Sequence, residues 1–461
     1  MHFRQYDLAC LSLYSYMIGD TTTGRAVVVD PQRDISEYVA DANYHGLTIE
    51  RVIETHFHAD FLSGHLELAH ATGAVISYGS VARPDFAIEP LADGQIMSLG
   101  KVTLEIRHTP GHTPESISIV IRRQPDAEPF AVLTGDTLFI GDVGRPDLLT
   151  SVGRSADSLA RDLYQSVHTK LLTLPDTTLV YPAHGAGSAC GKHMTAAASS
   201  TIGEQRATNY ALSPMTEDQF VDAVTEGQAV APAYFAFAAD ANRRERDLLD
   251  DHLPPASLTI DDALAGDFVC IDTRSPESFA SGHLRGSINV GLDGRFAEYA
   301  GGVLSAGQHV VIVGASGRAT EAKNRLARIG FDDVVGAVDD IERVLAEHPE
   351  LAQPARRLHA DDVRMWLADD ATVQVIDIRN PGETSIGGTI PGAQTIPLPQ
   401  LVARLGELDP TQPTVVYCAG GYRSSIAASF LRANGFAQVA DILGGYGAWT
   451  SLTTTAKDSH V

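Results

Sequence analysis

Six residues that follow apparent strands, His56, His58, Asp60, His112, Asp136 and His184, are of the types that hold a transition metal. Neutral imidazoles and carboxylates offer lone pairs to one ion, and a loop just past a strand end is free to curl around it. Thr55-His56-Phe57-His58-Ala59-Asp60 sets three such side chains two residues apart. His112 stands in Thr109-Pro110-Gly111-His112-Thr113, Asp136 in Leu133-Thr134-Gly135-Asp136-Thr137, and His184 in Pro182-Ala183-His184-Gly185. A second chemistry rests on Cys418. Cys418-Ala419-Gly420-Gly421-Tyr422-Arg423-Ser424 follows the apolar run Thr414-Val415-Val416-Tyr417 and opens a helical stretch. Backbone N–H groups are free at a helix N-terminus, so this loop can stabilise a thiolate, a persulfide or a bound oxyanion.

These residues need elements to position them. Short β-branched runs bounded by Gly, Asp and Pro, such as Arg25-Ala26-Val27-Val28-Val29-Asp30 and Val102-Thr103-Leu104-Glu105-Ile106, read as strands. Apolar residues at helical spacing over 35–45 and 62–71 place helices between them. The chain has 461 residues, and at about 150 residues per domain it divides into roughly three. Asp250-Asp251-His252-Leu253-Pro254-Pro255 reads as a linker, and a second break falls near Glu347-His348-Pro349. The expected domains are 1–248, 256–350 and 356–455.

The two later segments repeat one another. Residues 268–276 match 373–381, and 311–318 match 416–423 with a one-residue shift, so a small α/β domain is duplicated in tandem. The first copy has Val313 where the second has Cys418 and carries no nucleophile there, while Arg318 keeps the place of Arg423.

A net charge of −24, from 34 Lys and Arg against 58 Asp and Glu, leaves no basic surface for a phosphate backbone, which excludes nucleic acid as an expected partner. No export signal and no membrane span is read from the sequence. Four cysteines without a Cys-x-x-Cys pair do not make a disulfide framework, and a reducing cytoplasm fits them.

The order His-x-His-x-Asp, Gly-His, Gly-Asp, Pro-Ala-His-Gly resembles the metallo-β-lactamase superfamily. That implies an αββα sandwich, followed here by two rhodanese-like α/β domains. Dinuclear hydrolases of this fold have a further His directly after the Asp, where this chain has Phe61, so one metal is expected. Within the superfamily, residues 57–65, 139–147 and 183–191 look like the persulfide dioxygenases that are fused to rhodanese domains. This resemblance implies one iron(II) per chain, with zinc as the alternative, held by a facial triad of His56, His112 and Asp136 whose open positions admit a persulfide and dioxygen. It leaves His58, Asp60 and His184 as groups that orient ligands or water, or as alternative metal ligands. Arg145 offers an anion contact for a thiol carrier or, equally, a salt bridge with Asp147. Cys190, six residues after His184, is either a sulfur carrier or a small buried apolar residue.

The Cys418 loop, with Asp377-Ile378-Arg379 and Ile390-Pro391-Gly392-Ala393 upstream, resembles the rhodanese sulfurtransferases, although Thr389 stands where that family has His. The resemblance makes Cys418 the catalytic nucleophile and Arg423 its partner, with Ala419, Gly420, Gly421 and Tyr422 cradling the persulfide. The expected function is oxidation of a small persulfide, of glutathione or another thiol carrier, to sulfite by O2, coupled to sulfur transfer that gives thiosulfate. The alternatives are a zinc thioester hydrolase of the glyoxalase II type and a persulfide carrier serving a partner protein. A homo-oligomer is expected from the superfamily.

Overall fold

The strand pattern of the first 200 residues sorts its side chains onto two faces, and the computed structural model shows what each face meets. It describes residues 1–148 and 153–458. Strands β1 (His2–Leu8), β2 (Leu13–Asp20), β3 (Arg25–Val29), β4 (Thr48–Ile53), β5 (Val75–Gly79) and β6 (Glu89–Leu91) form one sheet in sequence order. The first two pairings are antiparallel and the next three parallel. Strands β7 (Ile96–Ser98), β8 (Thr103–His108), β9 (Ile117–Arg122), β10 (Ala131–Gly135), β11 (Leu179–Pro182) and β12 (Ser200–Thr201) form the second, and only β10 and β11 pair in parallel.

Successive strand residues point to opposite faces. Tyr16, Ile18, Val27, Val29 and Ile53 therefore turn inward and pack with Leu104, Ile106, Ile117, Ile119 and Leu133 of the second sheet. Met17, Ala26, Val28 and Val52 turn outward onto Tyr38, Ala42 and Leu68, carried by the helices Ser36–Tyr44 and His65–Thr72. On the far side Val120, Val132 and Val180 meet Ala160 and Leu163 of Ala156–Ser166 and Phe220 of Glu217–Thr225. Helix, sheet, sheet, helix is the sandwich expected from the sequence.

The chain falls into two compact units, one of residues 1–231 with 235–249, the other of 232–234 with 250–461. The second unit holds two parallel sheets. One runs Ile288–Asn289, Val269–Asp272, Val310–Gly314, Val334–Asp339; the other runs Arg356–Leu358, Val439–Ile442, Thr414–Tyr417, Gln374–Asp377, Gln394–Thr395. In both repeats an Asp-x-Arg follows the first central strand and folds on itself: Arg274 pairs with Asp272 and Arg379 with Asp377, each at 2.6 Å. All four cysteines are free thiols. No helix among the described residues is long and apolar enough to cross a membrane.

His283 of the first repeat is buried against the Phe279 ring, stacked at 3.7 Å, and its Nδ1–H donates to the Phe279 carbonyl. Burial pushes its pKa down from 6.5 to about 4. Between those values the unfolded chain holds a proton that the folded chain does not, so stability falls as pH drops through this window, by about 3 kcal/mol in all. Thermal unfolding of the second unit followed from about pH 7 down to about pH 4 is expected to show that loss. The slope should be shallower in His283→Gln, and an equal slope in both would place the loss on other groups.

Candidate metal centre and cysteine loop

Strands β3 and β4 end side by side, and Asp30 follows the first of them at φ 50. Its buried carboxylate accepts the Thr55 N–H at 2.7 Å and the Thr55 hydroxyl at 2.9 Å. With its hydrogen given to Asp30, the Thr55 oxygen is left to accept from His56 Nδ1, 2.9 Å away. A neutral imidazole carries one N–H, so His56 Nε2 presents a bare lone pair. The same logic recurs twice. His112 Nδ1 donates to the Arg145 carbonyl at 2.8 Å, and His184 Nδ1 donates to the Ser12 carbonyl at 3.2 Å.

These lone pairs converge on Asp136, directly after β10. His112 Nε2 is 3.4 Å and His56 Nε2 3.9 Å from Asp136 Oδ2, while His184 Nε2 is 3.4 Å from Oδ1. His56, His112, His184 and Asp136 are each 1% exposed. Among the described residues, His56 Nε2, His184 Nε2 and both Asp136 oxygens have no hydrogen-bond partner. Burial, reinforced by His58, His112 and His184, holds His56 well below the ordinary imidazole value, so no proton fills the gap. A dry cluster of lone pairs facing a carboxylate is strongly unfavourable without a cation, and the donor set of His56, His112 and Asp136, with ligand atoms within 4.8 Å of one another, fits a metal ion.

A second group, His58, Asp60 and His184, also brings its ligand atoms within 4.8 Å. Here the electrostatics differ. Burial opposes a charge on His58, but Asp30 at 3.1 Å and Glu54 at 3.5 Å outweigh it and hold this imidazole well above its ordinary value. His58 thus turns Nε2 to two carboxylates while its Nδ1 has no hydrogen-bond partner among the described residues, and the ring of Phe61 lies 4.4 Å from its own. Asp60 Oδ2 lies 3.3 Å from His184 Nε2.

Cys190 sits within the same 4.8 Å limit of Asp136 and His184. Burial, then Asp60 and Asp136, pushes its thiol up, which keeps the sulfur protonated. The structure pairs Arg145 with Asp147 through two nitrogens, at 2.6 and 2.8 Å, and its Nη1 donates to the Ala189 carbonyl. Asp30, Thr55 and Glu54 were not legible as site residues, since their roles depend on a contact between strand ends. Asn242 carried no signal at all. Buried 182 residues beyond Asp60, it donates to the carbonyls of His58 and Phe61, both at 2.8 Å, and accepts the Ser63 N–H.

The cysteine loop is built from main-chain groups. Gly421, at φ 97, donates its N–H to Cys418 Sγ at 3.1 Å. The start of Gly445–Asp458 closes over the loop, with Tyr446 N–H on the Cys418 carbonyl and Gly447 N–H on that of Ala419. Arg423 is gripped by Glu383 through two hydrogen bonds of 2.7 and 2.8 Å. Glu383, at the third position of the helix Pro381–Gly387, was missed; its only trace in the sequence is the helix start Asn380-Pro381-Gly382-Glu383. Tyr422 turns its side chain out of the cradle, to the carbonyl of Gly291 at 2.8 Å. In the first repeat the strand register corrects the sequence alignment by one residue: Asp272 pairs with Val313 as Asp377 pairs with Tyr417, so Gly314, not Val313, takes the position of Cys418, and Arg318 pairs with Asp293 and Glu321.

Gly144 makes the metal centre sensitive to one methyl group. A Cβ there would lie 1.9 Å from the Asp136 carbonyl oxygen and 3.2 Å from His112 Cβ. Neither can yield without moving a ligand, so Gly144→Ala is expected to lower metal content about tenfold or more, as displaced ligand supports do. Elemental analysis of the purified full chain checks this, and full metal occupancy in the variant would refute it.

Residues 10–184 match the Metallo-beta-lactamase superfamily, and 259–340 and 359–452 match the Rhodanese-like domain. The mitochondrial persulfide dioxygenase ETHE1 of Bos taurus is 33% identical over 235 residues, which span 50% of this chain and 83% of the relative. The cytoplasmic hydroxyacylglutathione hydrolase of Arabidopsis thaliana is 33% identical over 182 residues, 39% of this chain and 66% of that protein. A solved metallo-beta-lactamase structure from Staphylococcus aureus matches with a TM-score of 0.68 at 33% identity, covering 73% of this chain and 99% of that one. The chain belongs to the persulfide dioxygenase ETHE1 family of the metallo-β-lactamase superfamily, and carries tandem rhodanese-like domains after its metallo-β-lactamase domain.

Proposed function

We propose that the chain oxidises a low-molecular-weight persulfide to sulfite in a domain of residues 1–248 and transfers sulfane sulfur in a domain of residues 356–455. The first reaction balances as R–S–SH with one O2 and one water giving R–SH, sulfite and two protons. The observation that carries this reading is that His56, His112 and Asp136 converge with ligand atoms within 4.8 Å of one another, while His56 Nε2 and both Asp136 oxygens have no hydrogen-bond partner among the described residues. These three would hold a single metal, whereas His58 turns Nε2 to Asp30 and Glu54 and packs against the ring of Phe61. Two imidazoles and one carboxylate are the donor set of iron(II) oxygenases, and such an ion supplies open positions where a persulfide sulfur and dioxygen meet.

The residues of the chain do the rest. Thr55, the Arg145 carbonyl and the Ser12 carbonyl fix the ring orientation of His56, His112 and His184. Phe61 and Phe139, both fully buried, keep water from the side of His58 and His184. In the second domain the Cys418 thiolate attacks the outer sulfur of a persulfide, the S–S bond breaks and R–S⁻ leaves. Sulfite then takes that sulfur from Cys418 and departs as thiosulfate, restoring the thiolate. The Gly421 N–H stabilises the charge on sulfur throughout. Arg423, held by Glu383, presents a cation beside the loop for the sulfite or thiosulfate dianion.

Aerobic turnover with glutathione persulfide tests the scheme. Oxygen uptake with about one iron per chain is expected, and Asp136→Ala should reduce both iron content and uptake by about 100-fold. One zinc per chain with no oxygen uptake would instead establish the thioester hydrolase reading, which the plant hydrolase relative favours. Cys418→Ser should shift the product from thiosulfate to sulfite, and a constant product ratio would refute the coupling.

A further inference from the structure

The helix that follows the cysteine loop, Tyr422–Ala433, is buried at eight consecutive residues, Ser424 through Leu431. A helix resting on one sheet keeps a solvent face, so this one must be covered on a second side. Its own strands, Thr414–Tyr417 and Val439–Ile442, supply one cover, and the edge strand Ile288–Asn289 of the first repeat supplies the other. The second contact is polar and fully matched. Ser425 Oγ donates to Asn289 Oδ1 at 3.0 Å, and the Asn289 N–H donates to Ser429 Oγ at 2.9 Å. Asn289 in turn is tied by Nδ2 to the carbonyls of Asp272 and Arg274 in its own repeat.

The same surface of the first repeat reaches the loop itself. The Tyr422 hydroxyl donates to the carbonyls of Gly291 at 2.8 Å and Asp293 at 3.3 Å, and the Tyr299 ring lies 5.5 Å from the Tyr422 ring. One residue earlier, the Gly421 carbonyl accepts from Arg357 Nη2 at 3.3 Å, and Arg357 Nη1 is held by Glu277 of the first repeat at 2.9 Å. Gly421 and Tyr422 are therefore braced by the first repeat, directly at the Tyr422 hydroxyl and, by way of Arg357 of their own domain, through Glu277. This matters because Ala419-Gly420-Gly421 has little stiffness of its own, while the Gly421 N–H is the group that faces Cys418 Sγ.

We propose that the cysteine-less first repeat is a positioning element for sulfur transfer. Through Gly291 and Asp293, and through Glu277 by way of Arg357, it holds Gly421 and Tyr422 in place, and with them the Gly421 N–H that stabilises charge on the Cys418 sulfur. The inference rests on the reading of Cys418 as the residue that carries sulfane sulfur. It gives the repeat a task that needs no nucleophile, which accounts for Gly314 in the place of Cys418.

Steady-state transfer of sulfur from thiosulfate to cyanide by the full chain tests it, with rates taken per folded chain. Tyr422→Phe keeps the ring and loses the hydroxyl; kcat is expected to fall about five- to tenfold, the worth of one net hydrogen bond, with KM for thiosulfate moving less than about twofold. Glu277→Gln, an exposed site on the first repeat that leaves the core untouched, should lower kcat about two- to threefold in the same sense. A loss of stability alone would change the folded fraction and leave kcat where it was. Wild-type kcat in both variants, or a change confined to KM, overturns the proposal. A wild-type chain no faster than Cys418→Ser overturns the sulfur-transfer reading and this proposal with it.

Discussion

The metal centre depends on one buried carboxylate that is not itself aimed at the metal. Asp30 is 1% exposed, and an ionised carboxylate in so dry a place costs several kcal/mol unless it is paired and hydrogen-bonded. The compensation comes from Thr55 N–H, Thr55 hydroxyl and the His58 ring. Each of these is the start of a further constraint. Thr55, having given up its hydrogen, dictates which nitrogen of His56 is bare. His58 is oriented by the same contact, with Nε2 toward Asp30 and Glu54. The orientation of both rings is thus set in the layer behind the ligands, where Asp30, Glu54 and Phe61 meet.

The two reactive centres solve opposite electrostatic problems with the same architectural device. Both sit beyond strand ends, Asp136 after β10 and Cys418 after Thr414–Tyr417. The first collects side-chain lone pairs whose protons have been disposed of by Thr55, Arg145 and Ser12, and so attracts a cation. The second sets the Gly421 N–H on a sulfur at the start of a helix and so attracts negative charge. The two polarities are kept in separate units with separate supports.

Much of this was legible because the chemistry lies in short local patterns. His-x-His-x-Asp after a strand, Phe61 in place of a ligand, the Cys-x4-Arg loop and the loss of a cysteine from the first repeat are all readable within a few residues, although the alignment set that loss at Val313, one residue before the Gly314 that the strand register places there. The alternation of Val27 and Val29 against Ala26 and Val28 likewise gave the two faces of a strand and hence the layered fold. What the sequence withheld are the partners that arrive from afar. Glu383 lies 40 residues from Arg423, Gly291 lies 131 from Tyr422, and Asn242 lies 184 from His58. Arg145 illustrates the limit well: its sequence neighbour Asp147 offered one role and its place near the centre another, and only the fold shows where its nitrogens point.

Asn242 also bears on what counts as the metallo-β-lactamase part of this chain. The superfamily match stops at residue 184, yet the carbonyls of His58 and Phe61 are tied down by a side chain almost sixty residues later, with Arg246 of the same segment on Glu67 and on the Ser63 carbonyl. The segment that braces the metal loop consequently lies beyond the end of the superfamily match. Its last turn, just ahead of the paired prolines, serves as a latch on the metal loop. Recombination that swaps rhodanese partners onto this scaffold has to cut after Leu249, because a junction placed at the edge of the family match would release the loop while sparing every ligand.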